Sequence, residues 1–121
     1  MRAIIDSDVL IDYLQGLKSA QTELAKYRRR EISIVSWMEV MCGAEGAEEE
    51  GGCREFLATF VVHPLTPETA AEAVRLRREH RLRLPDAIVW ATARVQGALL
   101  VTRNTRDFPA DEPGIRVPYS V

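Results

Sequence analysis

Four short apolar runs constrain this chain most: Ala3-Ile4-Ile5, Ile32-Ser33-Ile34-Val35, Val61-Val62 and Ala98-Leu99-Leu100-Val101. Such runs are too short for helices and rich in β-branched residues, so they read as buried strands. Between them, apolar residues recur at helical spacing. Strands that alternate with helices pair in parallel, because each helix carries the chain back to the edge where the next strand begins. The expected fold is therefore α/β, with helices on both faces of a central, mainly parallel sheet of four to five strands. Ile115-Arg116-Val117, set among Pro109, Pro113, Gly114 and Pro118, is the candidate fifth strand. At 121 residues, the chain is large enough for one core but not two, so residues 1–121 should form a single domain.

The helices carry their own punctuation. Val9, Leu10, Tyr13 and Leu14 form the first stripe, with Ser7 or Asp8 as its cap. Ala20, Leu24 and Tyr27 mark a second helix, running into Arg28-Arg29-Arg30, which reads as cations at a solvated helix C-terminus, with an RNA-facing patch as the alternative. Ser36 and Glu39 fit a capping box, and Glu48-Glu49-Glu50-Gly51-Gly52 reads as an exposed turn. Thr66-Pro67 opens a helix with stripe Ala70, Ala73, Val74 and Leu76. Its arginine-rich end, through Arg81 and Arg83, reads as a solvated face. Leu84-Pro85-Asp86 then opens the most apolar helix, a buried one, which Gly97 ends.

Parallel pairing gathers chemistry at one rim, because every strand ends on the same side. Asp6 ends the first strand, while Asn104 and Asp107 lie just past the fourth. Glu39 sits where a helix leaves the second strand, and Asp86 where the helix before the fourth strand begins. Capping accounts for Ser7, Asp8 and Glu39 but gives Asp6 no role. The helix dipole favours Asp86 by about 0.3–1 kcal/mol, less than burying an unpaired carboxylate costs. A buried Asp86 therefore needs a cation.

Carboxylates crowded into one cleft keep their protons unless a cation is bound. His63 and His80 stand apart, and Cys42 and Cys53 lack metal-ligand spacing, which leaves oxygen donors alone. Such a set suits Mg²⁺ or Mn²⁺, ions that activate water and neutralise charge at a phosphodiester. The net charge of -2 provides no global basic footprint, so nucleic acid must be met by a local patch or a metal. All sixteen basic residues except Lys18 and Lys26 are arginine, which suits bidentate phosphate contacts. No apolar run approaches the ~20 residues of a membrane span, and no signal-peptide pattern opens the chain. The two cysteines read as free thiols, and a cytoplasmic location is expected.

Four stretches together resemble the PIN-domain ribonucleases, and more narrowly the VapC-type toxins of toxin–antitoxin pairs. They are Ile5-Asp6-Ser7-Asp8-Val9-Leu10-Ile11-Asp12-Tyr13-Leu14, Ser36 to Glu39-Val40 with Gly43, Leu84-Pro85-Asp86-Ala87 with Ala91-Thr92-Ala93, and Thr102-Arg103-Asn104-Thr105-Arg106-Asp107-Phe108. The resemblance spans nearly the whole chain in the family's order. It implies a PIN-like three-layer α/β/α sandwich and a Mg²⁺- or Mn²⁺-dependent endoribonuclease acting on RNA. It further implies a homodimer and inhibition by a VapB-type antitoxin. By position, Asp6, Glu39 and Asp86 match the three principal metal-binding acids. At the fourth, the family often has Asp where this chain has Asn104, and an acid or His at the position of Asp107. Thr102 matches a hydroxyl position near the site. The segment between Glu39 and Asp86 is short for the family.

Other readings fit less of the chain. Asp6-Ser7-Asp8-Val9 also fits the nucleophile motif of haloacid-dehalogenase-type phosphatases, but no Lys follows Lys26 and Asp86 has no acidic neighbour. A glycosyltransferase would need room for a nucleotide-sugar domain. A PIN-like protein that binds RNA or a partner without cleaving is the non-enzyme alternative, and the uncharged Asn104 is its one hint.

Overall fold

A computed structural model describes residues 1–121 and contains the five expected strands in one sheet. They are β1 (Ala3–Ile5), β2 (Glu31–Ser33), β3 (Val61–His63), β4 (Leu99–Val101) and β5 (Ile115–Arg116), in the order β3-β2-β1-β4-β5. Every neighbouring pair is parallel. Six helices complete the chain: α1 (Ser7–Leu14), α2 (Lys18–Leu24), α3 (Ile34–Cys42), α4 (Gly46–Leu57), α5 (Pro67–His80) and α6 (Leu84–Gln96).

The alternation of side chains along β1 builds the three layers. Ile4 packs with Leu76 of α5, Trp90 of α6 and Leu100 of β4. Its neighbours Ala3 and Ile5 point the other way, onto Val9 and Leu10 of α1, Leu24 of α2 and Leu57 of α4. Both faces are covered at the centre of the sheet, which is why β1 and β4 read as unbroken apolar runs rather than alternating ones. The helix α6 is buried from Asp86 through Ala93 apart from Ile88, as its composition implied. Trp90 meets Phe108 edge-on at 6.1 Å between ring centroids. A buried tryptophan of this kind is worth roughly 3–5 kcal/mol relative to alanine. Gly97, at φ 65°, closes α6 in the left-handed conformation.

Three local expectations are corrected. The strand β2 stops at Ser33, whose hydroxyl accepts from Val35 N at 3.1 Å and caps α3. Ser36 is therefore buried inside the helix with its Oγ unpartnered, and no capping box forms with Glu39. Val35, β-branched but apolar, is drawn into helix because there it reaches the core beneath α6. Glu48 to Gly52 is helical rather than a turn. The acids in its first turn favour the helix dipole, and Leu57 and Phe56 anchor the far end, the latter stacked on Tyr13 at 5.0 Å. The helix α2 ends at Leu24, so the arginine triplet lies beyond it. Arg30 lies over the Phe60 ring at 5.9 Å, and Arg29 approaches Glu31 at 3.7 Å.

Candidate active site

The strand order reverses at β1, with the chain building outward to β2 and β3 on one side and to β4 and β5 on the other. At such a switch point the helices diverge and open a crevice beyond the strand ends. Asp6 follows β1 directly and is buried, with 5% of its surface exposed. Its Oδ1 accepts from Ser7 N at 2.8 Å, so Asp6 itself, not Ser7 or Asp8, caps α1. Its Oδ2 accepts from Thr102 Oγ1, also at 2.8 Å. Thr102 is fully buried just past β4; its hydroxyl accepts from Asn104 N at 3.0 Å and lies 3.3 Å from Asp8 Oδ2. A hydroxyl has one hydrogen to give, and the shorter contact goes to Asp6. Asp8 Oδ1 is buried with no partner.

The remaining acids arrive from other elements. Glu39, in the second turn of α3, accepts from Ser7 Oγ at 3.0 Å. Asp86, in the first turn of α6, accepts from Arg83 Nε at 3.2 Å. Asn104 and Asp107 close a small ring: Asn104 Nδ2 donates to Asp107 Oδ2 at 2.9 Å, and Asp107 N donates to Asn104 Oδ1 at 3.2 Å. All six residues singled out in the sequence thus lie along one rim. A polar cleft of about 360 Å³ runs there, lined by Asp8, Asn104, Asp107 and three arginines, Arg83, Arg103 and Arg106.

Burial dominates the electrostatics of the rim's acids. Burial pushes Asp6 up to about 7, and the charges of Asp8 and Asp86 push it the same way. Asp8 is raised by burial. Asp86 is also raised, by burial and by Asp107, against the pull of Arg83.

Three partners were not legible as functional. Ser7 links Asp6 to Glu39, and only its place beside Asp6 hinted at this. Arg83 is solvent-exposed, as read, but it also bonds Asp86 and lines the cleft; its spacing of three residues from Asp86 across a helix start was the available signal. Arg103 holds Asp12 through Nε and Nη2, at 2.5 and 3.1 Å, and Tyr119 Oη adds a bond of 2.7 Å. That trio ties the loop after β4 and the C-terminal tail to α1.

Comparison with known proteins decides the kinship. The PIN domain family matches residues 3–110. Ribonuclease VapC10 of Mycobacterium tuberculosis H37Rv is 38% identical, over 98% of this chain and 93% of its own length. The chain belongs to the PIN-domain family of VapC ribonucleases. A toxin–antitoxin complex from Klebsiella pneumoniae contains a chain 40% identical to this PIN domain, with a TM-score of 0.92 and coverage of 98% and 99%. DNA-bound VapBC from Salmonella typhimurium, 21% identical with a TM-score of 0.77 over 96% of each chain, shares the fold.

PIN-domain VapC ribonucleases are generally dependent on a divalent metal. The donor set here fits that requirement. The acidic donors are all carboxylate oxygens with no His or Cys among them, one buried carboxylate oxygen of Asp8 has no partner, and burial raises Asp6, Asp8 and Asp86. No three acidic, histidine or cysteine side chains are drawn into a ready-made coordination cage. An ion that keeps part of its water shell, as Mg²⁺ does, suits such an open rim. No helix of this PIN domain is long and apolar enough to cross a membrane.

Proposed function

We propose that residues 1–121 act as a single PIN domain, a metal-dependent endoribonuclease toxin that hydrolyses RNA phosphodiester bonds in the cytoplasm. Asp6, Glu39, Asp86 and Asp107 would hold Mg²⁺ or Mn²⁺. The observation that carries this reading is Asp6, a buried carboxylate at the switch point, pushed up to about 7 with no cation against it. When bound, the ion supplies the missing charge, activates water and neutralises the phosphodiester. The chain's own polar groups hold the acids still: Thr102 on Asp6, Ser7 on Glu39, Arg83 on Asp86 and Asn104 on Asp107. Orienting partners of this kind typically change metal affinity or activity by ~10–100-fold when lost. In this assignment Asp107 is the fourth carboxylate and Asn104 its holder, so the neutral amide is compatible with cleavage.

The partner we assign is a VapB-type antitoxin, on the strength of the 40% identity to a chain of the Klebsiella complex, with a homodimer as the working assembly. The test is antitoxin-free protein with a structured RNA pool, in Mn²⁺ or in EDTA, wild type beside Asp6→Asn. Cleavage should require both the metal and Asp6, and the variant should fall by more than ~100-fold, beyond the loss of an orienting partner. Asparagine keeps the α1 cap, so its inactivity would not reflect unfolding. Equal cleavage in EDTA or by the variant would sink the carboxylate site. A folded dimer that binds RNA with no products from any RNA class would favour the binding-only alternative.

A further inference from the structure

We propose that Arg83 is a phosphate ligand for RNA in this cleft, aimed by its bond to Asp86. The substrate class rests on the ribonuclease reading above; the geometry is independent of it. Arg83 stands at the N-cap position of α6, yet makes no side-chain capping bond. Its side chain is 72% exposed, and its one hydrogen bond runs from Nε to Asp86 Oδ2. A guanidinium offers five N–H groups in a rigid plane. With Nε committed, the edge formed by Nη1 and Nη2 has no partner in the protein. That edge matches two non-bridging oxygens of a phosphodiester.

The neighbouring arginines show why Arg83 is the one suited to this. Arg103 lines the same cleft but spends Nε and Nη2 on Asp12. Arg106 lines it too, with no ion pair to hold its side chain in one place. Arg83 is both anchored and open, so less rotamer freedom remains to be lost on binding. Its position answers a difficulty of the site as well. RNA approaching the rim meets the charges of Asp86, Asp107 and Glu39, and Arg83 lies within the field of all three. A chain of net charge -2 has no long-range attraction to offset that repulsion.

The experiment measures binding without catalysis. A fluorescein-labelled single-stranded RNA is titrated with antitoxin-free protein in EDTA, by anisotropy, across a KCl series. Arg83→Gln should weaken binding several-fold and flatten the plot of log affinity against log salt by about 0.7, the value of one single-strand phosphate contact. Arg83→Lys should keep the slope while losing part of the affinity, because a point charge remains but the fork does not. Arg28→Gln removes an exposed arginine from the far side of the molecule, beside Met1 and Tyr27, and should leave the slope as in wild type. An unchanged slope in Arg83→Gln, or equal flattening in Arg28→Gln, overturns the proposal; retention of the slope by the lysine variant excludes misfolding as the cause. The ribonuclease reading fails separately. Wild type that never cleaves while Arg83→Gln still flattens the slope leaves Arg83 an RNA ligand without a nuclease. Cleavage by wild type with an unchanged slope removes Arg83 alone.

Discussion

The two edges of the sheet treat buried carboxylates in opposite ways. Near the edge where the strands begin, Glu31 is fully buried, and burial alone would raise it. Bonds from Arg2 and His63, with Arg29 nearby, instead hold it below the usual carboxylate range. Glu23 accepts from Arg116 at 2.7 and 2.8 Å and from Tyr27 at 2.6 Å, with Lys26 at 3.2 Å, and Arg116 above all brings it down to about 2. At the opposite edge, Asp6, Asp8 and Asp86 are all raised. The residue types are alike, but burial weighs more heavily on Asp6 and Asp8 than on Glu23 and Glu31 and is the largest cause of the raised values. What remains of the difference is whether the chain supplies enough cations of its own to offset that burial. Where it does, the carboxylate fastens α2 to β5 or β2 to β1 and β3; where it does not, the carboxylate awaits a ligand.

That contrast is broken most forcefully at Glu23. Glu23→Ala should cost about 1–3 kcal/mol of stability, the range for leaving a buried hydrogen-bonding partner unmatched. The lower half is the better expectation, because Arg116 is partly exposed and can rehydrate. Metal-dependent cleavage at 25 °C should persist. Urea unfolding and cleavage rate, measured on the same preparation, check both halves. A stable but inactive variant would place Glu23 with the functional acids and dissolve the distinction.

The pH dependence sharpens the comparison. Asp6 titrates near 7 in the folded chain, against about 3.8 unfolded. Between those values the native state binds more protons, so stability must fall as pH rises. The favourable contribution is complete below about 3.8 and lost as pH rises through 7. Its slope cannot exceed about 1.4 kcal/mol per pH unit for one group. Glu23 has the reverse sign: its contribution is present above 4.5 and lost as pH falls toward 2. In EDTA the midpoint of thermal unfolding should therefore drop from pH 5 to pH 8, and Mn²⁺ should raise it more at pH 8 than at pH 5. A flat profile, equally shifted by Mn²⁺ at both values, would mean that Asp6 is not short of a cation.

The sequence carried the sheet because its central strand β1 is buried on both faces, and Ala3-Ile4-Ile5 has no competing periodicity. It carried Asp6 and Asp86 because topology fixes where parallel strands and their helices meet. The start of α3 was illegible for a physical reason. Ile34 and Val35 prefer strand locally, but the Ser33 hydroxyl caps a helix and Val35 then reaches the core, a tertiary gain that no local window contains. Gly51-Gly52 misled in the same way, since Leu57 and Phe56 stabilise α4 from outside the segment. Arg83 was hidden by company: among so many arginines, composition cannot mark the one that meets a carboxylate.

Asn104 is where a small effect distinguishes most. If the rim simply wanted more negative charge, Asn104→Asp would improve it by supplying the acid that the family often has there. The observed bonds argue otherwise. Asn104 Nδ2 donates to Asp107 Oδ2, and a carboxylate in its place has no hydrogen to give. It would set two negative oxygens against each other while still accepting from Asp107 N. Asn104→Asp should therefore lower stability in EDTA by under about 1 kcal/mol, the scale of one half-exposed hydrogen bond. Mn²⁺ should recover most of that loss, since a cation near Asp107 would draw the two carboxylates together. Thermal unfolding with and without Mn²⁺ reads both steps. A variant as stable as wild type in EDTA would show that Asn104 does not hold Asp107, and the fourth carboxylate would then have to be sought elsewhere on the rim, with Asp8 and its unpartnered Oδ1 the next position to test.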